Sequence, residues 1–122
     1  MTIGEALAAF KRYNAIMSEE EQIAALSALD GRIKIEIIDT HEGGENVSFT
    51  PYTVDTPRKM VLIVPHPYDV LYINFLVANE ALKREEHERY NNALYVFNEA
   101  YADFRKAYNR THMPRAVYVA YN

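Results

Sequence analysis

The chain has 122 residues, of which 49% are hydrophobic and 25% are charged, which is the mixture expected of one globular domain. It has no cysteine, which excludes disulfides, thiolate metal sites and cysteine nucleophiles. A net charge of −4 disfavours a dedicated nucleic-acid binder, and no stretch approaches the roughly 20 uninterrupted apolar residues of a membrane helix. Residues 1–10 lack a basic start, so we expect no secretory signal.

Residues 1–45 are expected to form N-terminal helices, the first of them short and spanning about residues 2–13. Ser18 and the acid three residues after it have the spacing of a capping box, which predicts a second helix start. An apolar stripe at helical spacing passes Gly31, so a kinked helix to about residue 40 is predicted. The alternating isoleucines at 33, 35 and 37 leave a strand open as the alternative.

Residues 46–66 differ in character from the helical segments on either side. Apolar and β-branched residues occur at 47–49 and 60–64, and Pro51 and Pro57 lie between them. Such runs separated by prolines are typical of short strands or loops. We therefore predict a small β-hairpin or loop excursion here.

Residues 67–112 are predicted to form a helical hairpin, because no glycine or proline lies between Tyr68 and Met113 to supply a turn. Its later helix, about residues 86–110, would be roughly 37 Å long at 1.5 Å per residue. The apolar stripe of this helix consists of Tyr90, Leu94, Phe97, Tyr101, Phe104 and Tyr108. The charged run at 83–89 is interpreted as the corner between two antiparallel helices, with one continuous long helix as the alternative.

The last residues, 113–122, are expected to form an extended C-terminal tail that pairs with a sheet edge in its own chain or another. The predicted fold class is therefore mainly α. Within one domain, we expect a helical bundle with a long antiparallel helix pair, a small β-hairpin or loop excursion, and this tail.

The sequence contains no pattern that indicates catalysis. His41 and His87 are each followed by glutamate, but neither has a second histidine four residues later, as a zinc-binding helix requires. The histidines are instead expected to be solvated surface residues. No serine has the flanking glycines of a nucleophile elbow, and Gly43-Gly44 lacks the rest of a phosphate loop. We therefore expect no enzyme activity, no catalytic residues, no cofactor and no metal.

A basic and aromatic cluster lies near the C-terminus, and it contains Arg105, Lys106, Arg110, Arg115, Tyr108, Tyr118 and Tyr121. Bases at the end of a helix also complement the helix dipole, which is a purely structural explanation. Tyrosine and arginine dominate protein interface hot spots, so a protein-binding surface fits this cluster better than a nucleic-acid surface. The candidate partner-contact residues are Arg110, His112, Arg115, Tyr118 and Tyr121.

Three groups of segments carry a resemblance to a known family. They are SALDGRIK at 27–34 with EIIDTHEG at 36–43, LIVP at 62–65 with PYDVLYI at 67–73, and ERYNN at 88–92 with FNEAY at 97–101 and YNRTHMP at 108–114. Together they resemble the small head–tail connector, or head-completion adaptor, proteins of tailed phages and prophages of Gram-positive bacteria. At 83–87 the chain reads KREEH, where relatives carry an Asn-Gly turn between the two late helices.

The resemblance implies a non-enzymatic structural protein that docks on the phage portal and extends the DNA channel. Its expected partners are other copies of itself, in a ring, and the portal or a neighbouring adaptor, with no specific nucleic acid and no membrane. It implies a place in the virion, and in the bacterial cytoplasm during assembly. The acidic residues 1–55, net −6, and the basic residues 56–122, net +2, are compatible with complementary contacts between subunits. The alternatives are a small DNA-contacting regulatory or packaging protein and a monomeric helical-hairpin module that binds proteins.

Overall fold

The computed structural model describes residues 1–115, which form a mainly helical bundle. Four α-helices follow one another along the chain: α1 (Ile3–Phe10), α2 (Glu19–Glu36), α3 (Val70–Lys83) and α4 (His87–Thr111). Short 3₁₀ turns extend α1 at Lys11–Tyr13 and follow α2 at Ile38–Thr40 and Gly44–Asn46. The mainly helical fold class is thus confirmed. Tyr118 and Tyr121 of the predicted tail lie outside the described residues.

Helices α1 and α2 both begin with capping boxes. The Ser18 hydroxyl accepts the backbone N–H of Glu21, and the Glu21 carboxylate accepts the backbone N–H of Ser18. Thr2 and Glu5 make the same reciprocal pair at α1. Each box satisfies two N–H groups that have no partner inside the helix, so the start of α2 lies where the sequence predicts it.

Helix α2 runs through Gly31 and ends at Glu36, so the predicted helix to residue 40 is too long and the alternative strand is wrong. Ile37 turns the chain, and a 3₁₀ turn follows at Ile38–Thr40. The chain turns here because this brings Ile33, Ile37 and Ile38 into the core, while Ile35 stays 70% exposed. The alternating isoleucines at 33, 35 and 37 therefore mark the end of a helix and not a strand.

Helices α3 and α4 form the predicted antiparallel hairpin. Phe75 packs on Phe97, and Tyr68, just before α3, packs on Phe104. The earlier residue of one segment thus contacts the later residue of the other, which is the antiparallel arrangement. The corner is three residues long, and Glu85 in it adopts a left-handed conformation with φ 58°. The charged run is therefore a turn, and the single long helix is excluded.

Between the last 3₁₀ turn and α3, residues 47–69 form no helix and no β-hairpin, so the predicted hairpin is absent and the predicted loop excursion is present. One isolated antiparallel bridge joins Val61 to Thr2, beside α1. The Asp30 carboxylate joins this segment to α2 and α3. It accepts the Tyr52 hydroxyl at 2.6 Å, the Ile63 N–H at 3.1 Å and the Tyr72 hydroxyl of α3 at 2.5 Å.

One apolar core joins all four helices and the irregular segment. Its largest fully buried side chains include Phe10 of α1, Leu26 of α2, Tyr72 of α3 and Phe97 of α4. Of the long α4 stripe, Phe97, Tyr101 and Phe104 are buried, and Leu94 and Tyr108 are partly buried against the core. Most of the aromatic stripe is therefore packing.

Candidate partner-binding groove

An apolar groove of about 420 Å³ lies where α4 ends, and we name it the C-terminal groove. Its apolar lining consists of Ile38, Val47, Ile63, Pro65, Tyr68, Phe104, Ala107 and Tyr108, and its polar rim consists of Arg110, Thr111 and His112. A mostly apolar concave surface with a few polar groups at its edge is typical of binding sites. We therefore take this groove as the candidate functional site.

Three aromatic rings build one wall of this region. Tyr108 stacks on His112 with ring centroids 3.8 Å apart and an interplanar angle of 3°. The edge of His41 meets Tyr108, with centroids 4.8 Å apart and planes at 83°. Because the spacing 108 to 112 is one helical turn, the stack continues the α4 surface beyond the last helical residue.

His41 is buried, with 3% of its surface exposed, so the expectation of a solvated histidine is wrong at this position. Its Nδ1 lies 2.6 Å from the Ile37 carbonyl oxygen, which places the ring proton on Nδ1. Its Nε2 lies 2.7 Å from Oδ1 of Asn109 on α4, and turning that amide over places its N–H group against Nε2, which complements a proton on Nδ1. The imidazole therefore ties the end of α2 to the last turn of α4. By contrast, the side chain of His66, flanked by two prolines, is 86% exposed.

The first residues after α4 pair with the chain around His41. The Met113 carbonyl accepts the Glu42 N–H at 2.8 Å, and the Arg115 N–H donates to the Thr40 carbonyl at 3.0 Å. The Arg115 guanidinium also donates to the His41 carbonyl and to Glu45, at 3.2 and 2.8 Å. Within residues 1–115 this contact is one isolated bridge, His41 to Pro114, and not the predicted pairing with a sheet edge, and the rest of the predicted tail lies outside the described residues.

The structure brings three of the five predicted partner-contact residues to this end of the molecule. Arg110 and His112 lie on the rim of the C-terminal groove, and both are exposed. Arg115 lies beside His41, next to the groove rather than on its rim. The other two, Tyr118 and Tyr121, fall outside the described residues.

The basic cluster is partly neutralised by acids from the first half of the chain. Arg105 lies 3.7 Å from Glu36, and Arg115 lies 2.8 Å from Glu45. Within residues 1–115, Lys106 and Arg110 have no carboxylate partner within 4 Å. Two of the four clustered bases are therefore available to a partner.

Glu36, the last residue of α2, contacts Arg32 of its own helix and Tyr101 and Arg105 of α4. The Tyr101 hydroxyl donates to it at 2.6 Å, and this bond, followed by the bond from Arg32, lowers the pKa of Glu36. Burial, together with the Glu36 bond and charge, raises the pKa of Tyr101 above its usual value. The pKa of Tyr108 is also raised, by burial and by the charge of Asp39. These tyrosines therefore remain protonated donors at neutral pH.

Two buried carboxylates lie away from the groove, and both have structural partners. Burial raises the pKa of Asp30 although three hydrogen bonds oppose this, and burial beside Asp30 raises the pKa of Tyr72. Glu80 accepts the N–H groups of Ile16 and Met17 and the Arg84 guanidinium. Burial alone would raise the pKa of Glu80, but these bonds outweigh it and the pKa is lowered.

The sequence pattern of α4 indicates the side of the groove that this helix forms, but no pattern indicates the side formed by the irregular segment. The rim residues at 110–112 follow from the end of the apolar stripe. Val47, Ile63 and Tyr68 come from the irregular segment, whose position depends on contacts with Asp30 far away in sequence. Periodicity carries no signal for such contacts.

Across residues 1–115, no helix combines the length and apolarity that crossing a membrane requires. In the same range, no three histidine, aspartate or glutamate side chains gather into a group that could hold a metal ion. No family model, curated protein or solved structure matches the chain.

Proposed function

We propose that the protein is a non-enzymatic structural protein of a tailed phage or prophage, a head–tail connector that docks on the portal and extends the DNA channel. The observation that carries this proposal is the convergence of Arg110, His112 and Arg115 at the end of α4. Arg110 and His112 belong to the YNRTHMP segment at 108–114, which carries part of the resemblance to the connector family, and both border an apolar groove. The docking surface is this end of the molecule.

The chemistry of this end suits a protein partner. Arg110 is exposed and lacks an acidic partner within the described part of the chain, and the His112 ring lies on Tyr108 beside apolar walls. Arginine and aromatic groups next to a dry pocket are the features that supply most of the energy at protein interfaces.

Fewer charged residues are available for contacts between subunits than the sequence suggests. Ion pairs join the acidic half to the basic half within one chain, at Glu19–Arg58, Glu21–Lys83, Glu36–Arg105 and Glu45–Arg115. Much of the opposite charge of the two halves is therefore used inside the subunit. Subunit contacts in a ring then rely on the bases that remain, such as Lys106 and Arg110, and on apolar surface.

The test is assembly on portal-bearing heads isolated from a phage that lacks its own connector. Wild-type protein should bind these heads as a ring visible by electron microscopy. A chain ending at Arg115 should fold with unchanged helicity and fail to bind, because the candidate contacts Tyr118 and Tyr121 are removed. Arg110→Glu should bind more weakly, whereas Lys11→Glu, an exposed change beside α1, should bind normally. Normal binding by both the shortened chain and Arg110→Glu would contradict the proposed docking surface.

The alternative function, a DNA-contacting protein, can be distinguished by a different measurement. Binding to duplex DNA through Lys106 and Arg110 would weaken steeply as salt rises. A salt-dependent mobility shift without head binding would replace the connector proposal. A monomeric protein-binding module would bind neither heads nor DNA.

A further inference from the structure

We propose that an exposed side of α4 is a contact surface for a second copy of this chain, packed antiparallel about a two-fold axis beside Val96. The surface consists of Arg89, Asn92, Val96, Glu99 and Asp103, and we name it the outer stripe of α4. This inference goes beyond the proposed function, because it concerns how the free protein associates and does not depend on which partner the protein serves.

The outer stripe is one side of a regular helix that the rest of the subunit leaves uncovered. Its members recur at spacings of three and four residues, which places them on the same side of α4. All five are exposed. The helix packs on α3 through a different side, where Phe97 meets Phe75. The outer stripe is therefore available to another molecule.

The surface around the middle of the stripe is apolar. Val96 is 50% exposed, and the neighbouring Tyr95 is 67% exposed. Ala93 and Val96 also border a shallow hollow of about 200 Å³, which they share with Tyr13 and Val77. An apolar centre between polar ends is the arrangement of core and rim in protein interfaces.

The two ends of the stripe carry opposite charges at equal distances from Val96. Arg89 lies seven residues before Val96 and Asp103 lies seven residues after it, and seven residues are close to two helical turns. A two-fold axis beside Val96 therefore brings Arg89 of each copy opposite Asp103 of the other. Within residues 1–115, Asp103 has no ion-pair partner. Arg89 pairs with Glu86 at 3.1 Å, but both side chains are exposed and such pairs contribute little.

The next positions toward the centre also match. Asn92 lies four residues before Val96 and Glu99 lies three residues after it. The same axis brings the Asn92 amide, which can donate two hydrogen bonds, opposite the Glu99 carboxylate of the second copy. Each of these contacts forms twice, once on either side of the axis.

This charge order favours a second copy in the antiparallel direction. A parallel pair would place Arg89 against Arg89 and Asp103 against Asp103, and facing like charges oppose association. A contact between identical subunits about a two-fold axis requires a surface that complements itself, which the outer stripe does.

The length of the stripe sets the strength of the contact. From residue 89 to residue 103 the helix rises about 21 Å at 1.5 Å per residue. A contact of this length is smaller than the roughly 1,200 Å² at which stable interfaces begin. We therefore expect a weak dimer that forms as the protein concentration rises.

Sedimentation velocity of the full-length protein from 5 to 500 micromolar at low salt tests this. The wild type should shift from one copy toward two. Asp103→Arg and Arg89→Asp each put like charges at both ends of the contact, so each variant alone should associate about tenfold more weakly. Mixed in equal amounts, the two variants should associate as well as the wild type, because every contact between positions 89 and 103 then joins opposite charges.

Asp55→Arg, the same reversal at an exposed position outside α4, is the matched control and should associate like the wild type. Circular dichroism should show unchanged helicity in all variants. A wild type that stays monomeric at every concentration would overturn the proposal. So would single reversals that associate normally, or a mixture that stays as weak as its components. Assembly beyond two copies would also overturn it, because a two-fold contact closes with the second copy.

Discussion

The imidazole of His41 and the side-chain amide of Asn109 meet at 2.7 Å, although 68 positions separate them along the chain. This hydrogen bond joins the turn after α2 to the last turn of α4. It also supports the wall of the C-terminal groove, because His41 packs edge-on against Tyr108. The groove and the packing of α4 on α2 therefore share one contact.

Loss of this contact should destabilise the protein. Asn109→Ala leaves the buried His41 nitrogen without its partner, and an unsatisfied buried group costs about 1–3 kcal/mol. We expect the free energy of unfolding, measured with urea, to fall by that amount. Hydrogen exchange should also quicken at residues 108–112. His66→Ala, at a side chain that is 86% exposed, is the control and should change the free energy little. Equal effects of the two changes would contradict the role of His41.

Removing the Glu80 carboxylate, at the opposite end of the bundle, should also lower the stability of the protein. Its side chain is 5% exposed, and its carboxylate accepts the N–H groups of Ile16 and Met17. Glu80→Ala leaves both donors without this acceptor, so we expect a fall of about 2–4 kcal/mol in the free energy of unfolding. Glu88→Ala, an exposed acid in the first turn of α4, should cost far less. Chemical denaturation of both variants at pH 7 checks this difference.

The two buried carboxylates should respond to pH with opposite signs. The folded pKa of Asp30 is raised, so its contribution to stability is full below the unfolded value of 3.8 and is lost as pH rises through the folded pKa. The folded pKa of Glu80 is lowered, so its contribution is present above 4.5 and is lost as pH falls. Unfolding of the wild type, Asp30→Asn and Glu80→Gln from pH 3 to 7 separates them. The advantage of the wild type over Asp30→Asn should shrink as pH rises, and its advantage over Glu80→Gln should grow.

Two glycines should respond differently to alanine. A Cβ at Gly44 would lie 2.5 Å from the Ile38 carbonyl oxygen and 3.1 Å from the Asp39 Cα, both of them backbone atoms. Gly44→Ala should therefore lower the melting temperature clearly. A Cβ at Gly31 would meet only the Phe49 ring at 3.3 Å, and alanine in a helix interior gains about 0.5–1 kcal/mol over glycine. Gly31→Ala should be neutral or stabilising, and a comparable loss at both sites would contradict this.

Local patterns were sufficient to place the helices, while the site required contacts that no local pattern encodes. The capping box at Ser18 and the stripe through Phe97 and Tyr101 mark where helices begin and which face packs. His41 resembles any surface histidine in sequence, and its burial follows from Asn109 on a distant helix. Asp30 likewise resembles an ordinary helix acid, and the distant Tyr52 and Tyr72 determine its role. The proposed partner-contact residues Arg110 and His112 could be selected from the sequence because they follow directly from the end of a periodic stripe.

The Asp30 carboxylate has a consequence for how the irregular segment moves. Residues 58–62 pair with residues 1–4 through three backbone hydrogen bonds, but the contact of the segment with the middle of α2 is made by side chains. Tyr52, Ile63 and Tyr72 instead share one acceptor. Exposing Asp30 to water releases all three bonds together, so these three contacts should open and close as a single unit. The Ile63 amide, which donates to Asp30, should then exchange with solvent at the rate of that event, whereas the Tyr52 amide donates to the Ser27 hydroxyl and reports a separate contact.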